Sequence, residues 1–290
     1  MYTLFAYTRD PANRIVRFAV DHAVQVGMTA FLSQQVENFN SDHDEVAFDG
    51  KYKPDDGERL VIDEFVDLDD LSMAVASPLS VPVADPGTLS FDSIRALFFG
   101  VKEPDNSVSV YLQNFDRRRL ISDSGFSIFH AQGVYRKIEG TGLTLDTKLA
   151  AKLNGCKLKF FSFFHVRQIF DMSSYYQEAT DADIQCFAQL RQVAEPAIEE
   201  LIAVSDSWVR RKLWLIRESR ILERVPPNDI KTIALEFNIP VEYEQINGED
   251  KIKIPHDKKA LKALLRFLDE DYYKSPLSKT NFVTNSKRAV

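Results

Sequence analysis

Between residues 93 and 164 apolar and β-branched side chains come in short runs separated by turn residues. IRALFFGV and SVSVYLQNF stand on either side of KEPDN, whose Pro, Asp and Asn suit a turn, so the two runs predict a hairpin. SIFHAQ, VYRKIE and KLKFFSFF continue the pattern, with Gly125, Gly133, Gly140, Gly142 and Gly155 as breakers. Together they predict an antiparallel sheet of about five strands. From His165 the period lengthens to that of helices. HVRQIFDMSSYYQEATDADIQCFAQL and EPAIEELIAVSDSWVRRKLWLIRESRIL are interrupted at Pro196 and near Asp206, where Asp206 or Ser207 can cap a new helix. NDIKTIALEFN predicts a short helix capped by Asn228 or Asp229, and VEYEQINGEDKIKI a hairpin turned by Asn247-Gly248. A last helix runs from Asp257 to about Asp269, with Leu261, Leu264, Leu265 and Leu268 along one face.

Residues 1–88 carry a weaker pattern. One helix is predicted around Met28 to Phe39; the stretch from Ser41 to Glu58 is acidic and marked by Pro and Gly, and Pro78, Pro82 and Pro86 punctuate a loop-rich passage. The expectation is an acidic, irregular N-terminal region ending near residue 88. An α+β domain follows over 89–290, with its sheet in 93–164 and a helical part carrying a small hairpin in 165–290.

Composition adds limits to this picture. Of 290 residues, 44% are hydrophobic and 27% charged, proportions that bury a core rather than leave a chain disordered. No apolar run approaches the roughly 18 residues of a membrane helix, and the opening residues lack the basic and apolar regions of a secretory signal. Cys156 and Cys186 are too few for a disulfide framework. These readings predict a cytoplasmic protein. The net charge of −7 conceals a division: residues 1–100 carry 7 basic and 17 acidic groups, whereas residues 251–290 carry 10 basic and 4 acidic ones. A phosphate-binding surface, if present, belongs to the C-terminal end, because such binding depends on local cation density.

Most familiar chemistry is absent. His22, His43, His130, His165 and His256 lack metal-ligand spacing, and neither GxxxxGK[ST] nor GxGxxG occurs, so no cofactor or metal is expected. Asp105, with Asp146 and Lys148, forms one loose nuclease-like set of two acids and a lysine, able in principle to hold a divalent ion and orient water. Asp105 is better accounted for as a turn residue of the predicted hairpin.

Two helices carry the charge of interest. In DSWVRRKLWLIRESRILER, Arg210, Arg217, Arg220 and Arg224 fall within roughly 80° of one another at helical spacing, with Trp214 at the edge of the arc. The stripe suits a row of phosphates, with Trp214 stacking or packing, and equally a salt-bridged face involving Glu218 and Glu223. In DKKALKALLRFLDED, Lys258, Lys262 and Arg266 stand at i, i+4, i+8 opposite the leucines, flanked by Lys259, and Lys251 and Lys253 lie in the hairpin just before. Short helix, hairpin and basic helix in succession loosely resemble a helix-turn-helix with a wing. Asp269, Glu270 and Asp271 at the end of that helix oppose its dipole and call for compensation. Lys287 and Arg288 of the tail can clasp them; a bound divalent ion is the sharper alternative.

The tail LLRFLDEDYYKSPLSKTNFVTNSKRAV, with LDEDY, S-x-L-S/T and NSKR in order, is similar to the end of a bacterial domain family that includes KwaB, a subunit of the Kiwa antiphage defence system. FFSFFHVRQIFDMSSYYQEAT followed by VRRKL also resembles that family, and the shared pattern covers roughly residues 90–290. The resemblance implies a homodimeric binder of double-stranded DNA, not an enzyme, acting beside an integral membrane subunit, KwaA, which would recruit it to the inner face of the membrane. The residues expected to neutralise phosphates, without base specificity, are Arg210, Arg211, Arg217, Lys258, Lys259, Lys262 and Arg266, with Lys287 and Arg288 as further candidates. The alternatives are a divalent-metal nuclease using Asp105, Asp146 and Lys148, and a scaffold that binds only protein.

Overall fold

Runs too short to stand out in the N-terminal sequence pair with strands far along the chain. The computed structural model describes all residues except 67, 68, 86, 88, 122–127, 132, 138, 139, 285 and 288–290. Its contacts divide the chain into two units, the first comprising residues 1–48 and 54–172, the second 49–53 and 173–290.

The first unit holds β1 (Phe5–Thr8), β2 (Ile15–Arg17), α1 (His22–Asn40), β3 (Asp44–Ala47), β4 (Glu58–Ile62), α2 (Asp69–Ala76), β5 (Ile94–Lys102) and β6 (Val108–Asn114). It continues through β7 (Leu120–Ile121), β8 (Ile128–Ala131), β9 (Val134–Lys137), β10 (Gly142–Leu143), β11 (Ala151–Asn154), β12 (Lys157–Phe160) and α3 (Phe163–Ile169). Eight strands form the main sheet in the order β2-β1-β5-β6-β11-β12-β4-β3. Every pairing is antiparallel except the edge pair β3 and β4. The α+β class holds, but the sheet is larger than about five strands, and four of its strands come from the region expected to be irregular. Contacts place the division after Met172 rather than near residue 88. The predicted β5–β6 hairpin is present, with Asn106 at positive φ in its turn. SIFHAQ and VYRKIE instead supply the separate two-stranded β8–β9.

The central strands are buried on both faces, which explains their nearly continuous apolar runs. On one face Leu97, Phe99 and Tyr111 pack with Met28, Leu32 and Phe39 of α1. On the other, α2 comes so near that a Cβ at Gly100 would lie 2.6 Å from the Val75 side chain and 2.7 Å from the Ser109 carbonyl oxygen, so only glycine fits there. Asp146 belongs to the polar seam of this core. Its carbonyl accepts from the amides of Gln35 and Gln113, each at 2.9 Å, and its carboxylate lies 2.5 Å from Arg119.

The second unit contains α4 (Asp181–Ala188), α5 (Ile198–Val204), α6 (Ser207–Ser219), α7 (Ile221–Arg224) and α8 (Pro227–Glu236). The hairpin β13 (Tyr243–Ile246) and β14 (Glu249–Ile252), then α9 (Lys258–Leu268), then the hairpin β15 (Tyr272–Lys274) and β16 (Asn281–Val283) complete it. Asp206 and Asp257 cap α6 and α9, accepting from the amides of Val209 and Ala260 at 3.0 and 2.8 Å. Asn247 and Gly248 both take positive φ, as a two-residue hairpin turn of this hand requires. The short helix α8 begins two or three residues earlier than expected, with Pro227 in its first turn and Pro226 before it, so neither Asn228 nor Asp229 is its cap. Val209, Leu213 and Ile216 of α6 pack with Leu261, Leu264, Leu265 and Leu268 of α9 in one apolar core. That core turns the opposite faces of both helices, where the cations lie, away from the leucines.

Candidate functional site

Helix α6 uses its cations internally. Arg210 donates to Asp181 at 2.6 Å, to the Ala179 carbonyl at 2.9 Å and to the Ser205 carbonyl at 3.3 Å, so each of its three guanidinium nitrogens has a partner. Arg217 pairs with Asp183, the residue that closes the capping box of α4. The amide and hydroxyl of Thr180, together with Arg217, outweigh the effect of burial and hold the Asp183 carboxyl below its ordinary range. Arg211 corrects the expectation of a surface phosphate contact: it is only 5% exposed. It donates to the carbonyls of Gln177 at 2.7 Å and Gly50 at 3.1 Å, with its guanidinium 4.2 Å from the ring of Tyr176 and 4.9 Å from that of Trp214. The expected arc is also interrupted. Arg220 adopts left-handed backbone at φ 51°, ending α6, so Arg220 and Arg224 do not extend its stripe.

Helix α9 differs. Lys258 and Lys262 both reach one carboxylate oxygen of Asp206, each at 3.0 Å. Burial pulls the Asp206 carboxyl upward, but the Val209 amide and the two ammonium groups outweigh it and hold the group well below the usual range. Lys259 is exposed, and Arg266 lies 5.6 Å from the ring of Trp208; neither has a carboxylate within ion-pair distance among the described residues. Of the four cations on α9 only Lys258 and Lys262 therefore meet an acid, the one they share, and the helix contains no acidic residue.

The acids after α9 are divided by backbone geometry. Glu270 is left-handed at φ 57°, and the amides of Glu270 and Asp271 donate back to Phe267 and Arg266 at 3.0 and 2.9 Å, a closure of the Schellman type. The turn buries Asp269 and Asp271 and leaves Glu270 exposed. Lys212 lies 2.5 and 2.6 Å from the two buried carboxylates, and Lys287 lies 3.1 and 3.2 Å from them. The tail clasp is thus real for Lys287, and Arg288 lies outside the described residues. Among the described residues no group of three His, Cys, Asp or Glu side chains could hold a metal.

Lys212 was absent from the expected set. Its signal was indirect, since buried acids at a helix C-terminus demand a cation from somewhere. Trp208 was also missed: Lys212, Lys262 and Arg266 gather within 5.6 Å of its ring. Beside it opens a cavity of about 370 Å³, lined among others by Lys51, Arg211, Lys212, Arg266 and Lys287. The two acids of the nuclease-like set have local partners of their own. Asp105 accepts from the Ser107 amide at 2.9 Å as a turn residue, Asp146 serves the polar seam, and Lys148 is exposed. Both cysteines are free and exposed, and among the described residues no helix is long and apolar enough to cross a membrane.

The family model described as Kiwa protein KwaB-like matches residues 92–278. No curated protein and no solved structure matches the chain. The match spans the central strands, both basic helices and the acid turn that follows α9, and on it the chain belongs to the KwaB-like family of Kiwa antiphage defence proteins.

Proposed function

We propose that this chain binds duplex DNA through the phosphate backbone, without reading bases, as the DNA-contacting subunit of a Kiwa antiphage system. The observation that carries the reading is the charge excess on α9, where among Lys258, Lys259, Lys262 and Arg266 only Lys258 and Lys262 pair with an acid, and with the same carboxylate. A row of cations spaced one helical turn apart can neutralise successive phosphates without meeting base edges, which gives affinity with little sequence preference. Helix α6 contributes little to this surface, since Arg210 and Arg217 are paired with acids and Arg211 is buried. A homodimer acting beside the integral membrane subunit KwaA is the assembly that the family resemblance implies, and no catalytic step is part of the proposal.

The test is a binding titration with unrelated duplex sequences over a range of salt. The full chain should retain them all with similar affinity. The triple variant Lys258→Gln, Lys259→Gln, Lys262→Gln should bind weakly, with the slope of log affinity against log salt reduced by about 2 to 3. An unchanged slope in a folded triple variant would take α9 out of the interface.

A further inference from the structure

The 370 Å³ cavity beside Trp208 has more cations than its own acids use. Asp269 and Asp271 are matched by Lys212 and Lys287. That leaves Arg211, Arg266 and Lys51 lining the same recess with no carboxylate within ion-pair distance among the described residues. Two of them also have donors to spare: the Nε atoms of Arg211 and Arg266 are buried and have no partner among the described residues. Arg211 is itself 95% buried, being 5% exposed, and burial pulls its pKa down more than Tyr176, Asp269, Asp49 and Glu178 together raise it, so the cost of holding its charge there is only partly compensated. Cation–π contact with Tyr176 and Trp214 offsets part of that cost, but rings accept no N–H bond of the strength a charged oxygen offers.

We infer that this cavity binds a phosphomonoester, either on a small free molecule or at the end of a nucleic-acid strand. A phosphomonoester carries nearly two negative charges at neutral pH and three strong acceptor oxygens, which suits two arginine forks and a lysine. A carboxylate would leave two of the three cations unmatched. A backbone phosphodiester carries one charge and is tied to the strand on both sides, so it cannot turn its oxygens into a recess floored by a buried arginine. The volume exceeds that of phosphate alone and admits an attached sugar. The site shares Arg266 with the α9 stripe, but its other cations, Arg211 and Lys51, lie outside that stripe, and it stands whether or not Lys258, Lys259 and Lys262 contact duplex.

The chain provides its own reporter, because its two tryptophans are Trp208, which lines the cavity, and Trp214, which lies against Arg211. The full chain is titrated with deoxyadenosine monophosphate and with deoxyadenosine while tryptophan fluorescence is followed. The nucleotide should give a saturable change below about 10 mM, and the nucleoside none. Lys51→Gln combined with Arg266→Gln should weaken the nucleotide response at least tenfold; Lys51→Gln alone, at an exposed position, keeps the test valid if the pair fails to fold. Competition then separates the sources. Displacement by a short duplex bearing terminal phosphates, but not by one ending in hydroxyls, assigns the ligand to a strand end; displacement by neither assigns it to a free phosphate compound. No saturable response to the nucleotide, an equal response to the nucleoside, or an unaltered response in the folded variants would overturn the inference. None of these outcomes depends on whether duplex without terminal phosphates binds α9.

Discussion

Helices α6 and α9 are each rich in cations, pack in the same apolar core, and begin with an aspartate cap. They differ in what surrounds those cations. The guanidinium groups of α6 meet Asp181, Asp183 and backbone carbonyls, and its lysine meets two buried carboxylates. Of the cations of α9, only Lys258 and Lys262 meet an acid, the single carboxylate of Asp206. A stripe of positive charge on a helix therefore has two meanings. Where each cation has its own acid, the stripe joins elements of the unit to one another; where cations outnumber acids, charge is left for an external partner. Spacing along one helix cannot separate these cases, because the matching acids arrive from α4 and from the turn after α9.

The comparison predicts that charges of α6 govern stability and charges of α9 govern binding. Lys212→Met should give the largest effect, leaving two buried carboxylates with one ammonium between them. Loss of about 3–5 kcal/mol is expected in urea unfolding, against a change within about 0.5 kcal/mol for Lys259→Gln at its exposed position. A loss below about 1 kcal/mol would mean that Lys287 alone suffices, and the contrast between the helices would weaken.

A smaller effect is expected from Asp206→Asn, which retains a side-chain oxygen to cap α6 but releases Lys258 and Lys262 together. Duplex affinity should rise several-fold, up to about tenfold, with a steeper salt dependence. Asp181→Asn releases Arg210 in the same manner and should leave duplex affinity within about twofold. Equal gains from the two substitutions in a duplex titration would erase the distinction.

Acid gives the smallest effect. The folded Asp206 carboxyl lies below its unfolded value, so its stabilisation is complete above that value, roughly 3.9, and is lost as pH falls through the folded one. Wild type should melt above Asp206→Asn at neutral pH, and the gap should close only below about pH 4. A gap that stays constant down to strongly acidic pH would show that the lysine pairs contribute no net stability.

Elements whose signals are local were legible in the sequence. The turns at 103–107 and 247–248, the caps Asp206 and Asp257, and the leucine face of α9 rest on residues within one or two turns of each other. The N-terminal strands were not legible. They are three to five residues long, and β1 pairs with β5, Phe5 opposite Phe98, far beyond the reach of periodicity. Edge strand β3, DEVA, exposes three of its four side chains and so carries no apolar alternation. At the site, the stripe on α9 was readable, but the fate of α6 was not. The burial of Arg211 depends on a carbonyl 161 residues away, and the division of Asp269 from Glu270 depends on a left-handed glutamate that composition does not announce.

The five residues 49–53, which belong to the second unit, set an order of events during synthesis. Gly50 is made 161 residues before Arg211, whose guanidinium needs its carbonyl, and Lys53 is made 233 residues before Ser286, with which it exchanges two hydrogen bonds. At translation speeds of about 5–20 residues per second, Gly50 waits on the order of ten seconds for Arg211. A nascent chain therefore carries this segment of the second unit long before the helices it will border exist. Ribosomal pausing between residues 54 and 210 prolongs that state, and a fragment begun at Ser173 has the opposite defect, with Arg211 present and its Gly50 acceptor missing from the polypeptide.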